Sequence, residues 1–312
     1  MAVYTPVSAE EIATLLSRYN VGRLVSAKGI AEGVENSNFL IDTTAGRFIL
    51  TLYEKRVDAD DLPFFLKLLD HLADRALPVP RAIRDLNGDQ LHTVAGRPAC
   101  LIEFLPGISL STPTAAQARS TGAALGKMHA ALRDFEPTRP NSLGLCGWHK
   151  LAARCGHDLD GIAPHLYQRV DDELAWLDKY WPNSLPTAVI HADLFPDNVL
   201  MRGDAVGGMI DFYFACTEVR AWDVAVTHAA WSFAGNGTGY NALVGDAIVG
   251  GYDETFGLTD AERSAFPALA RGACLRFLLT RAWDWLNTPA DAMVTRKDPL
   301  AFLRRLDHYA AL

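Results

Sequence analysis

Strand-like sequence fills the first third of this 312-residue chain and then stops. Between "GRLVSA" and "RPACLIEFL", short apolar runs ("NSNFLIDT", "RFILTLYE", "RAIRDL", "QLHTV") are separated by turn formers, as strands are. "TAG" and Asn87-Gly88 look like hairpin connections. Two helices are set among the strands. One opens at Ser8, which has capping-box spacing to Glu11. The other covers 58–75, with Leu62, Phe65, Leu66, Leu69 and Leu72 on one stripe, and closes at "LPVP". After "PGISLSTPT" (106–114) the pattern turns helical: 114–134, 171–180, 221–234, 242–256, 260–287 and 298 onward. Short strands near 187–190, 198–202 and 207–212 interrupt it. This order predicts an α+β fold with two lobes. Residues 1–104 would form a small antiparallel β-sheet with a helix, and residues 105–312 a larger, mainly helical lobe.

Function classes narrow next. A formal charge of -8 argues against a nucleic-acid partner, which needs a basic face. The longest apolar candidate, "ACLRFLLTRAWDWL", is broken by Arg276, Arg281 and Asp284, so no membrane span is expected. Five scattered cysteines without a Cys-x-x-Cys pair predict reduced thiols and no structural zinc. With an opening that lacks a secretory leader, this predicts a cytoplasmic protein. The oligomeric state has no signature in the sequence.

Chemistry concentrates in "HADLFPDN", residues 191–198, between the apolar runs "TAVI" and "NVLM". His191-x-Asp193-x4-Asn198 is followed thirteen residues later by Asp211 in "MIDF", with "GDAVGG" as the intervening turn. A carboxylate and a side-chain carbonyl at neighbouring strand ends suit Mg²⁺, a hard cation that keeps some of its waters. A further carboxylate, off the metal, can orient a hydroxyl and accept its proton. Phosphoryl transfer requires that division of labour.

The two-lobed order with "HADLFPDN…MIDF" resembles the protein-kinase-like fold in its aminoglycoside and choline phosphotransferase branch. More narrowly, "GIAEGVENSNF", "FILTLYEKRV", "IHADLFPDNVL", "IDFYFAC", "RGACLRFLLTR" and "KDPL" resemble the bacterial homoserine kinases across nearly the whole chain. The resemblance implies ATP-dependent phosphorylation of the side-chain hydroxyl of L-homoserine, on the route to threonine. It makes Asp193 the catalytic aspartate, Asn198 and Asp211 the Mg²⁺ ligands, His191 a structural brace and Asp223 the anchor of the loop. It also implies that the backbone of Glu103 and Leu105 reads the adenine edge beside Ile49. The loop "KGIAEGVENSN" is either a simple β-turn or a phosphate cradle, with the side chains of Ser37 and Asn38 as candidate contacts.

The chain departs from the protein-kinase pattern in two places. The phosphate-covering loop has only Gly29 and Gly33, and Thr51 stands where the third-strand lysine would be. Lys55 and Arg56 lie nearby, as candidates or as solvated charges. A homoserine zwitterion needs a cation for its carboxylate, with Arg276 and Arg281 as candidates and Arg220 a weaker one, and an acceptor for its ammonium, such as Glu32, Glu35 or Asp193. Two alternatives stay open: a kinase for another small alcohol, of choline or aminoglycoside type, and a non-catalytic nucleotide-binding protein of this fold.

Overall fold

The computed structural model describes residues 5–30, 36–54, 57–288 and 296–312, and the chain divides into two compact units, Met1–Pro106 and Gly107–Leu312.

In the first unit, helix α1 (Ala9–Leu16) opens on the Ser8–Glu11 capping box. Strands β1 (Leu24–Gly29), β2 (Ser37–Thr43) and β3 (Arg47–Leu52) precede helix α2 (Leu62–Asp74), and β4 (His92–Val94) and β5 (Arg97–Glu103) follow it. They form one antiparallel sheet in the order β1-β2-β3-β5-β4. "RAIRDL" is not a strand. It touches β5 through a single bridge, Ala82 to Ile102, and then turns because the Asp85 carboxylate accepts the amides of Asn87 and Asp89. Phe39, Ile41, Leu50, Leu52, Ala99 and Leu101 on one sheet face form a core with Ile12, Leu15 and Leu16 of α1. Cross-strand pairing fixes the opposite face: Asn38 beside Thr51, and Leu40 beside Ile49, which in turn faces Ile102.

The second unit carries α3 (Ala115–Ala131), α4 (Leu145–Cys155), α5 (Leu166–Tyr180), β6 (Thr187–Ile190), β7 (Val199–Arg202), β8 (Ala205–Met209), β9 (Cys216–Val219), α6 (Arg220–Trp231), α7 (Ala242–Thr255), α8 (Asp260–Asn287) and α9 (Leu300–Ala310). Strand β6 pairs with β9, and β7 with β8. Helix α4 and strand β9 were not expected from the pattern. The N-cap of α4 is Gly144, without a side-chain cap, and β9 is only four residues long. Trp148, Trp181 and Trp222 pack together, with ring centroids 5.0 to 6.4 Å apart. No helix among the described residues is long and apolar enough to cross a membrane.

Helices α3 and α7 meet backbone to backbone. A methyl at Gly122 would collide with the Ile248 carbonyl oxygen, and one at Gly251 with the Arg119 carbonyl oxygen. Gly122→Ala is therefore expected to destabilise the protein by about 1–3 kcal/mol, the range for overpacking. Thermal unfolding checks this; an unchanged midpoint would show that the two helices separate without penalty.

Candidate active site

The chain leaves β6 through a sharp bend. Ala192 has φ +64°, a left-handed conformation that costs a residue with a side chain about 1–2 kcal/mol. Its surroundings hold it there. The buried Asp223 carboxylate, in the first turn of α6, accepts the His191 amide at 2.7 Å and the Ala192 amide at 2.8 Å. On the other side, the Ala192 carbonyl accepts from the Arg276 guanidinium of α8. The next carbonyls are also engaged: Asp193 O by the Asn198 amide at 2.7 Å, and Leu194 O by the Trp231 indole at 2.9 Å. Asp193 thus stands half-buried between two buried neighbours on a braced backbone.

His191 ties this loop to the strand end that carries Asp211. Its Nδ1 accepts the Asp193 amide at 3.2 Å, so Nε2 carries the proton and donates to the Ile210 carbonyl at 3.0 Å. Burial lowers the imidazole pKa, in keeping with a neutral ring. Burial also pushes the Asp223 carboxyl up, but the hydrogen bond and charge of His129, with the backbone hydrogen bond from His191, outweigh it and hold the group below its ordinary value. His129 lies on α3, 3.2 Å from Asp223 and 2.9 Å from the Tyr252 hydroxyl. Its part in the loop is invisible in the sequence, where 94 residues separate it from Asp223.

Asn198 donates to both the backbone and the carboxylate of Asp193, at 2.7 and 3.1 Å, which leaves its amide oxygen as the donor a cation would take. Its backbone carbonyl accepts the Ile210 amide at 3.0 Å, so Asn198 and Asp211 sit on adjoining strand ends. Asp211, also left-handed with φ +66°, has a buried Oδ1 with no hydrogen-bond partner among the described residues. Burial, with the charge of Asp197, raises its pKa to about 6, against the opposing charge of Lys297. A buried carboxylate oxygen without a partner has the character of a cation ligand. Among the described residues no cluster of three His, Cys, Asp or Glu side chains is arranged to hold a metal. The donors are instead one carboxylate and one amide oxygen, a set that suits Mg²⁺ completed by water and phosphate oxygens.

The other candidates divide. Arg276 is 2 % exposed and lies near the rings of Phe277, Phe214 and Trp222 beneath the loop, so it braces Ala192 and has no surface for a substrate. Arg220 forms a two-point ion pair with Glu262 at 2.6 and 2.8 Å, a structural role. Arg281 donates to the Asp298 carbonyl at 3.2 Å and has no carboxylate within 4.0 Å among the described residues. Glu32, Glu35, Gly33, Lys55 and Arg56 lie outside the described residues.

In the first unit, Asn38 and Ile49 share one sheet face, with the Thr51 hydroxyl donating to Asn38 at 2.7 Å. Ser37 does not join them. Adjacent strand residues point to opposite faces, and its hydroxyl is fully buried, donating to Glu54 at 2.7 Å. Ser37 Oγ also accepts the Thr5 amide at 3.1 Å, so its hydroxyl is tied into the first unit on the side away from Asn38. Glu103 ends β5, its amide donating to the Arg81 carbonyl at 2.9 Å, so only its carbonyl is left for an adenine edge. Leu105 lies half-buried beyond the last register pair of that strand, Phe48 with Glu103. Register also aligns Lys28 of β1 with Leu40, on the face of Ile49 and Thr51. This exposed ammonium was missed because pairing, which residue type does not reveal, puts it there.

Known proteins match this chain over most of its length. A model of the phosphotransferase enzyme family matches residues 26–258. A homoserine kinase of Zymomonas mobilis is 57% identical over 311 residues, 99% of this chain and 97% of that protein. One from Sinorhizobium fredii is 51% identical over 312 residues, 100% of this chain and 95% of that protein. Among solved structures, an amicoumacin kinase in complex with AMP-PNP and Ca²⁺ is similar at TM-score 0.71 and 12% identity, covering 97% of this chain and 93% of its own. A choline kinase from Cryptosporidium parvum reaches TM-score 0.68 at 14% identity, covering 97% and 95%. These distant structures share the protein-kinase-like fold, whereas the near relatives match from end to end. With a braced Asp193 loop and an unpartnered Asp211 oxygen on the adjoining strand end, the chain belongs to the phosphotransferase enzyme family, among its homoserine kinases.

Proposed function

We propose that this chain transfers the terminal phosphoryl group of ATP to the side-chain hydroxyl of L-homoserine, giving O-phospho-L-homoserine and ADP. The observation that carries the reading is the end-to-end match to homoserine kinases at about half identity or more. In this reading Asp193 accepts the hydroxyl proton as that oxygen forms its bond to the γ-phosphorus and the bond to the β-γ bridging oxygen breaks. Asn198 holds the Asp193 carboxylate in place through its amide N–H. Asn198 Oδ1 and the Asp211 carboxylate hold Mg²⁺, which supplies neutralising charge to the phosphates when bound. Asn38, Ile49 and the backbone of Glu103 and Leu105 take the nucleotide. Residues 1–104 serve as the nucleotide-covering lobe, and residues 105–312 as the lobe of catalysis and substrate.

A quaternary ammonium substrate is disfavoured, because it calls for an open aromatic cage. Trp148, Trp222 and Trp231 are buried in the core, and the Arg154 guanidinium lies 3.8 Å over the Trp283 ring. ADP release with Mg·ATP and L-homoserine tests the reading; release only with a different alcohol would remove it. Asp211→Ala is expected to lower kcat/KM by about 100-fold or more and to raise the Mg²⁺ and ATP requirements together. A Mg²⁺ titration at several ATP concentrations measures this, and an unshifted Mg²⁺ dependence would take Asp211 off the metal.

A further inference from the structure

Two arginines of α8 have different surroundings. Arg276 and Arg281 are five residues apart, about 140° around the helix, and so face different neighbours. Phe277 lies one turn before Arg281 on its own face, and its ring packs on Phe195 of the catalytic loop at 4.7 Å. Phe302 of α9 completes the platform, 5.0 Å from Phe277 and 6.0 Å from Phe195. The Arg281 guanidinium lies 4.5 Å over Phe302. Lys297 approaches the same loop, 3.4 Å from the Asp197 carboxylate and 5.9 Å from the Phe195 ring.

The cations here differ in how they are engaged. Arg305 gives hydrogen bonds to the carbonyls of Ala229 and Ala234, and Lys297 is paired with Asp197. Among the described residues Arg281 has one hydrogen bond, to the Asp298 carbonyl, so most of its donors remain for a ligand. Burial and the charge of Arg305 lower its pKa to about 10, with the charges of Asp193, Asp197 and Asp298 opposing, so it is protonated at neutral pH. A guanidinium fork with unused donors, within electrostatic reach of Asp193, matches a planar carboxylate.

Resting on the homoserine kinase reading, we infer that Arg281 binds the α-carboxylate of the amino-acid substrate and so selects an amino acid over a simple amino alcohol. Its position across the Phe195–Phe277–Phe302 platform would set the substrate's far end while Asp193 takes the hydroxyl.

The test compares L-homoserine with 2-amino-1,4-butanediol, in which a CH₂OH replaces the carboxylate. Wild type is expected to favour homoserine by about 30- to 100-fold in kcat/KM, the effect of a charged hydrogen-bonding pair. In Arg281→Met that preference should fall to about threefold or less, with activity on the diol retained, which also shows that the variant folds. Arg281→Lys should recover part of the preference. Equal losses on both substrates in Arg281→Met, or no wild-type preference while homoserine is turned over, would overturn the inference and leave the kinase reading standing. Turnover of neither compound by wild type would remove the kinase reading, and the inference with it.

Discussion

Asp193→Asn is expected to lower kcat by about 10³-fold while nucleotide affinity changes by less than about threefold, the range for loss of a positioned general base. The substitution keeps the size of the side chain, and the backbone that presents it is held elsewhere. The Asp193 carbonyl and amide, the Ala192 amide and carbonyl, and the Leu194 carbonyl all have partners that do not involve the carboxylate. What changes is proton acceptance, together with the anion that receives the Asn198 amide at 3.1 Å. Single-turnover kinetics with Mg·ATP, beside nucleotide binding by calorimetry, separates the two effects. Near-normal turnover would take the base assignment away from Asp193.

Asp223→Ala should have the largest effect on stability, about 3–5 kcal/mol, the usual consequence of removing one partner of a buried charged cluster. The fully buried carboxylate accepts the amides of His191 and Ala192 and faces His129 Nε2, all of which would lose their partner at once. The left-handed turn at Ala192 would lose one of its two clamps. Denaturant unfolding of wild type and variant measures the difference. The folded Asp223 carboxyl lies below its ordinary value of 3.8, so its contribution is fully present above that pH. The gap should therefore be flat near neutrality and close as acid protonates the folded group. A loss under about 1 kcal/mol would mean that the loop is held by other contacts.

The candidate site was legible as a motif because its residues are close in the chain and specific in type. His191, Asp193, Asn198 and Asp211 span 21 positions, and their order alone implied two strand ends bearing oxygen donors. The two-lobed architecture was legible for a related reason: the apolar period changes near residue 106. What stayed hidden depends on register, rotation about a helix, or long-range contact. Ser37 and Asn38 are neighbours in sequence, yet the sheet sends them to opposite faces. Arg276 and Arg281 are equal as cations on an apolar helix, and only the packing of α8 separates a loop brace from an open guanidinium. His129 has no local pattern, since it acts across 94 residues, and the face that Lys28 shares is set only by pairing with β2. Helix α4 lacks a capping side chain, so nothing in the sequence marks its start.

The central claim is phosphorylation of homoserine itself. Its most direct test is a single competition with Mg·ATP and equal concentrations of L-homoserine, L-serine, L-threonine, choline and an aminoglycoside, with the products identified by mass. O-Phospho-L-homoserine should form first and in excess, and the Asp193→Asn protein should form almost none. A phosphorylated product of another alcohol in excess, or no phosphorylated product despite measurable ATP binding, would contradict the account.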